Sequence, residues 1–235
     1  LQRYTAKAAV KTKLSQMKKI GILLIFALYL TTVQAQIITD KTSKKFSVGF
    51  DFYTDILTET PVDYDARTIN QGFNVFGTYN FPLGKSAHTF SLGVGIRSQN
   101  FYSNTQIRDF TADTVEFVPI TNNYKRSKIN LVYLDFPAEF RFRFKNAWKV
   151  GIGFKLGVII NSKAKYVGDI TPVGPRVYTK NKRLNSLESY TFGPTFRIGY
   201  KWINLFAYYQ PARVFQRDLG PEFYPLSVGI TVVPF

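Results

Sequence analysis

Asp51, Arg97, Asp135, Glu139, Arg141, Arg143, Lys149, Lys155 and Arg197 each stand between apolar neighbours one residue away on at least one side. Around Glu139 the order is Ala138, Glu139, Phe140, Arg141, Phe142, Arg143, Phe144. In a strand, alternate side chains point to opposite faces, so the charges share one face and the rings the other. Charges on the inner face of a small barrel meet in a space just wide enough for side chains. There they are expected to pair, since a buried charge without a partner is costly. The chemistry expected is a polar plug. A narrow ion path is the alternative use of such a lumen, and a site inside the barrel is a third.

Nucleophilic chemistry would need a Ser or similar group activated by a base, usually His. The chain has one His, His88, close in sequence to Ser86 in a turn, with no acid placed to orient it. Both read as turn residues. One His and no Cys remove the usual ligands of a metal site. The glycines of Gly93-Val94-Gly95 and Gly151-Ile152-Gly153 alternate with apolar residues and form no phosphate loop. They read as small inward residues that relieve crowding. No cofactor, metal or catalytic residue is expected, and the protein reads as a non-enzyme.

The elements that would position the charges are eight alternating segments. They run Lys44–Thr54, Ile69–Phe81, His88–Phe101, Ile129–Phe144, Trp148–Asn161, Glu188–Tyr200, Ile203–Gln210 and Phe223–Phe235. The connections between them alternate long and short. Within the long stretch Tyr102–Lys128, Thr114–Ile120 is β-prone, which predicts strands running beyond the membrane there. An apolar outer face, an even strand count and this rhythm describe an all-β, eight-stranded antiparallel up-and-down transmembrane barrel. No open sheet edge is tolerated in lipid, so the first strand must pair with the last. The competing architecture is a soluble barrel whose apolar face surrounds a ligand. The aromatic residues favour the membrane. Tyr79, Trp148, Tyr200 and Trp202 fall at the short-turn end, and Tyr102, Tyr133, Tyr190, Tyr209 and Tyr224 at the other.

Met17-Lys18-Lys19, the apolar run Ile20–Val33 and small residues before Gln36 read as a cleavable export signal, 17–35. The run is short of the roughly 20 residues that a spanning helix needs. Residues 1–16 read as an over-extended, disordered start, 36–43 as a short periplasmic segment, and 44–235 as the barrel. The formal charge of +16 includes six basic and no acidic residues among 1–35. The remaining basic residues are scattered without a nucleic-acid motif, so no nucleic acid is expected. Outer-membrane lipid and lipopolysaccharide phosphates are the expected counter-charges. The basic residues Lys125, Arg126, Lys128, Lys163, Lys165, Arg176, Lys180, Lys182 and Arg183 lie in two long loops and would suit an anionic surface.

The motif Tyr133-Leu134-Asp135-Phe136-Pro137 leads into an apolar, basic strand end, a short turn and the Gly-rich strand Val150–Gly157. In this the chain resembles the small outer-membrane β-barrel family of Bacteroidetes, which includes PorT-like proteins. The resemblance implies a monomeric, non-enzymatic barrel in the bacterial outer membrane, structural or associated with type IX secretion, in contact with other envelope proteins. Long loops would then be extracellular and both termini periplasmic. A surface-binding barrel acting through its loops and a small-solute pore are the alternatives. The final Phe235 is similar to the terminal aromatic read by the barrel-assembly machinery, although Val228, Ile230 and Val232 have the opposite parity and Pro234 intervenes.

Overall fold

The computed structural model describes residues 45–61, 64–169 and 175–233. The export signal, the segments on either side of it and Phe235 lie outside the described residues. Eight strands make the wall: β1 (Phe46–Thr58), β2 (Gln71–Pro82), β3 (Thr89–Tyr102), β6 (Tyr124–Arg143), β7 (Trp148–Asp169), β9 (Tyr190–Tyr200), β10 (Ile203–Tyr209) and β11 (Tyr224–Val232). Neighbours in sequence pair antiparallel, and β1 pairs with β11 from Phe50↔Val232 to Thr58↔Tyr224. The sheet therefore closes into a barrel, with no strand edge left in the wall.

Three shorter strands stand at the long-loop end. β4 (Thr105–Ile107) and β5 (Phe117–Pro119) form a separate hairpin, and β8 (Arg176–Lys182) lies along the upper part of β7. Of the β-prone stretch Thr114–Ile120, only Phe117–Pro119 forms a strand, and it pairs with β4 and does not lengthen the wall. The stretch beyond Asn161, expected as a loop, instead continues β7 to Asp169 and returns as β8.

The wall is uneven in height. β6 and β7 have 20 and 22 residues, whereas β10 has 7. At about 3.4 Å per residue, β6 and β7 run far past the roughly 30 Å of a hydrocarbon layer. Their upper parts and β8 make a three-stranded fin at one side of the mouth. The register of β6 with β7 slips where Val132 faces Asn161 and Tyr133 faces Ile159. Ile160 is the extra residue of this bulge. It reverses the parity of β7, so that Ile160 and Asn161 are both exposed and Ser162 and Ala164 turn inward.

Below the bulge the outer face is apolar. Phe52, Leu92, Phe140, Ile152, Phe154, Phe196 and Leu205 are all exposed. Above it, apolar groups are inside. Ile129, Leu131 and Tyr133 of β6 join Tyr64, Phe101, Val214, Phe215 and Phe223 in one buried cluster. Phe117 closes on Tyr64 and Phe215 at ring distances of 5.2 and 5.9 Å. The long loops are tied together by Val115 N–H donating to Leu219 O at 2.7 Å and Glu188 N–H to Val214 O at 3.1 Å. They form a folded cap with a core of its own.

Candidate functional site

Alternation along the strands aims two layers of charge into the barrel. In the layer nearer the short turns, Arg197 donates to Asp51 Oδ2 at 3.2 Å and also to Glu139. Arg141 donates through Nε to Glu139 Oε1 at 2.6 Å and through Nη1 to Asn80 Oδ1 at 3.0 Å. Thr231 Oγ1 and Asn74 Nδ2 donate to Asp51 at 2.6 and 2.8 Å. Two carboxylates and two guanidiniums thus neutralise one another within a polar shell.

The second layer lies nearer the long loops. Arg97 donates through Nε and Nη2 to the two oxygens of Asp135, at 2.7 and 3.2 Å. Lys155 Nζ is 3.3 Å from the same carboxylate. Thr191 accepts from Arg97 at 3.0 Å. The Arg97 guanidinium lies 4.3 Å from the Tyr133 ring centre, and Lys155 Nζ lies 3.7 Å from that of Tyr208. Such cation–π contacts are strongest when desolvated, and Arg97 is fully buried. Asp135 is the one carboxylate in this layer that forms ion pairs with either cation among the described residues.

Aromatic rings separate the layers. The Arg197 guanidinium packs on Phe76 and Phe206 at 5.0 and 4.8 Å, and Phe206 also meets Tyr53. Small residues make the room. A Cβ on Gly157 would lie 2.5 Å from Asp135 Oδ1, and one on Gly151 would lie 2.9 Å from Glu139 Cδ. A side chain at either position would therefore displace the neighbouring carboxylate from its ion pairs. Filled in this way, the lumen has charge, rings and charge stacked along its axis, with the apolar cap across its long-loop mouth.

Of the nine charges aligned by sequence, the structure unites Asp51, Glu139, Arg141 and Arg197 in one cluster and Arg97, Asp135 and Lys155 in the other. Arg143 and Lys149 do not join them. They face each other across β6 and β7 at the short-turn rim, half-buried, with no carboxylate partner among the described residues. Water reaches them there, so pairing is not enforced. Tyr133, expected in the outer aromatic girdle, is instead a lumen residue 1% exposed. It has the parity of Asp135, two residues away, and that parity carries it inward.

Sequence reasoning missed Asp55, which reads as a loop residue but lies within β1. Ser227 Oγ and Gln99 Nε2 donate to its Oδ1 at 2.5 and 3.2 Å. Tyr53 lies on the inward face that it shares with Asp51, whereas Phe76, Phe206, Tyr208 and Gln210 were missed as lumen filling. Their shared parity with Asn74 and Asn204 was the available signal.

The remaining motif residues lie where alternation requires. Leu134 and Phe136 face outward, and Pro137 faces inward between Asp135 and Glu139. Trp148 and Tyr200 are cross-strand partners with rings 5.9 Å apart, and Trp202 is exposed beside them. Tyr79 packs edge-on against Phe46 at 4.9 Å. The His88 ring makes no bond to Ser86, whose Oγ accepts only from the His88 backbone N–H, at 3.3 Å. The His88 Nδ1 accepts from the Arg143 N–H at 3.3 Å and its ring packs on Phe142, while Ser86 Oγ donates to Leu83 O at 2.6 Å. In the cap, outside the membrane-spanning wall, burial pushes the Tyr64 phenol up to about 12.

Two crystal structures of Ail, the attachment invasion locus protein of Yersinia pestis, are similar to this chain over 80% of its length and 97% of theirs. One holds the heparin analogue sucrose octasulfate, with 12% identity and a TM-score of 0.39. The other has 11% identity and a TM-score of 0.41. Likeness at that level carries no function across. No curated protein matches the chain. The family model for the outer membrane protein beta-barrel domain matches residues 34–212. With that match over most of its length and a closed eight-stranded wall, the chain belongs to the outer membrane protein beta-barrel domain family, and its location is the bacterial outer membrane.

Proposed function

We propose that this protein is a non-enzymatic outer-membrane barrel with a sealed lumen, structural or secretion-associated in the manner of PorT-like proteins. Its cap faces outward and both chain ends face the periplasm. The observation that carries the reading is the filled interior, in which two ion-paired charge layers flank an aromatic layer below an apolar cap. Such an interior leaves the outer surfaces as the working parts. The imidazole of the single His is held by a backbone N–H and a ring, and the nearby Ser86 hydroxyl donates to Leu83 O and not to it, which supports a non-catalytic role.

Reconstitution into planar bilayers tests the seal. No resolved conductance steps are expected. Steady single-channel steps from heat-modifiable barrel would overturn the sealed lumen and favour a narrow solute pore.

A second reading is a surface binder, favoured by the cap's own buried core, which gives a preformed surface where unstructured loops would have to order on binding. Mass spectrometry of what co-purifies from mildly solubilised outer membranes separates the two. Secretion components at near-stoichiometric amounts support the PorT-like role. A solitary barrel favours the surface binder.

A further inference from the structure

We infer that the outer face of the β6–β7–β8 fin is a binding surface for the anionic phosphate headgroups of the membrane leaflet at the long-loop end. The inference rests on the reading of this chain as a membrane-spanning barrel.

The register aligns the cations in rows. Lys128, Lys165 and Lys180 are directly opposite one another across the three strands. In the next row toward the apolar band, Asn130, Lys163 and Lys182 are opposite. The bulge at Ile160 puts Lys163 and Lys165 on the outer face, because it turns Ser162 and Ala164 inward. Like charges directly opposite are destabilising in a sheet. Here nothing on the fin offsets them. The one described acid on this part of the three strands, Asp169, meets Arg176 at the far end at 3.8 Å. Lys128 donates to Asn100 Oδ1 at 2.7 Å, a neutral partner.

Strand-edge protection does not account for the array. Lysines on an exposed edge discourage pairing with another chain, and β8 is such an edge. Lys163, Lys165 and Lys128 belong to strands already paired within the fin. What the rows share is height. Val132 is the last outward apolar residue of β6, and the two rows follow it by about 7 and 14 Å along the strand. With the tilt of a barrel strand, that is the depth at which headgroup phosphates begin. Basic residues near a charged lipid surface gain from it within a Debye length. Tyr178, exposed on the same face, adds an interfacial ring.

The test uses the full-length chain folded into phosphatidylcholine vesicles with a trace of spin-labelled phosphatidylglycerol or spin-labelled phosphatidylcholine. The immobilised fraction gives the relative affinity of the two lipids for the barrel. A several-fold preference for phosphatidylglycerol is expected, falling close to one in Lys163→Gln/Lys165→Gln/Lys180→Gln. It should fade in the unsubstituted protein at high salt. Arg108→Gln/Arg217→Gln, at exposed cap cations away from the fin, should leave it intact. An inserted, heat-modifiable triple variant that keeps the full preference overturns the inference alone. Failure of the unsubstituted chain to insert overturns the membrane reading with it. Lysine-dependent binding of dextran sulfate in neutral vesicles, without any lipid preference, would assign the face to a soluble polyanion and overturn the inference.

Discussion

β6 passes through two regions that obey opposite rules. Between Arg143 and Asp135 its inward residues are charged except for Pro137, and its outward residues include Phe140 and Phe136. From Tyr133 to Ser127 its inward side chains include Tyr133, Leu131 and Ile129, and beyond Val132 its outward residues are Asn130 and Lys128. The period of two never changes; what changes is the surrounding solvent. In hydrocarbon, burial drives no inward sorting of apolar groups, and the polar set must find partners within the lumen. In water the hydrophobic effect returns, and the same strand encloses an apolar core. The wall is therefore held by backbone pairing and ion pairs, and the cap by apolar burial.

Breaking the charge pairing in the wall should have the largest effect. Asp135→Ala leaves Arg97 and Lys155 buried without their shared carboxylate, and is expected to cost about 3–5 kcal/mol. Urea unfolding in vesicles measures this, and a loss below 1 kcal/mol would show that the pair does not hold the wall. Next in size is a charge on the lipid face. Phe154→Arg should cost about 2–4 kcal/mol, as expected near the bilayer midplane. Tyr178→Arg, on the same outer face but above the inversion, should stay within about 0.5 kcal/mol. Equal losses at the two sites would remove the distinction between the regions. In the cap, Ile129→Val deletes one buried methylene and should cost about 0.5–1.5 kcal/mol. It should raise protease sensitivity of the long loops while the heat-modifiable gel shift stays. Smallest is Arg108→Ala, which removes the exposed Arg108–Glu116 pair of 2.9 Å. It should change stability by no more than about 1 kcal/mol, and cap proteolysis should be unaltered.

The wall was legible because its signal is local. Each strand shows its own alternation, and Asp51, Arg97, Asp135, Glu139, Arg141, Lys155 and Arg197 all declare their face through their immediate neighbours. The cap was not legible in the same way. Tyr64, Phe117, Leu187, Phe215 and Phe223 follow no shared period in the sequence, and only distant chain segments bring them together. Asp55 was hidden because it begins a polar stretch, where polarity reads equally as loop, although β1 runs on to Thr58. Arg143 and Lys149 carry the correct parity, but parity says nothing of depth, and at the rim water takes the place of a partner.

The sequence by itself determined the eight crossings, the faces of their membrane-spanning parts and the closure of the first strand on the last. These follow from a period of two and from the cost of unpaired backbone in lipid. The tertiary structure alone decided which acid meets which base, since partners such as Asp51 and Arg197 are brought together by closure and stagger of the ring. It alone also decided the bulge at Ile160, which reverses the parity of β7 and sets the lysines of the fin outward. A register slip is a property of two strands together, and no single strand records it.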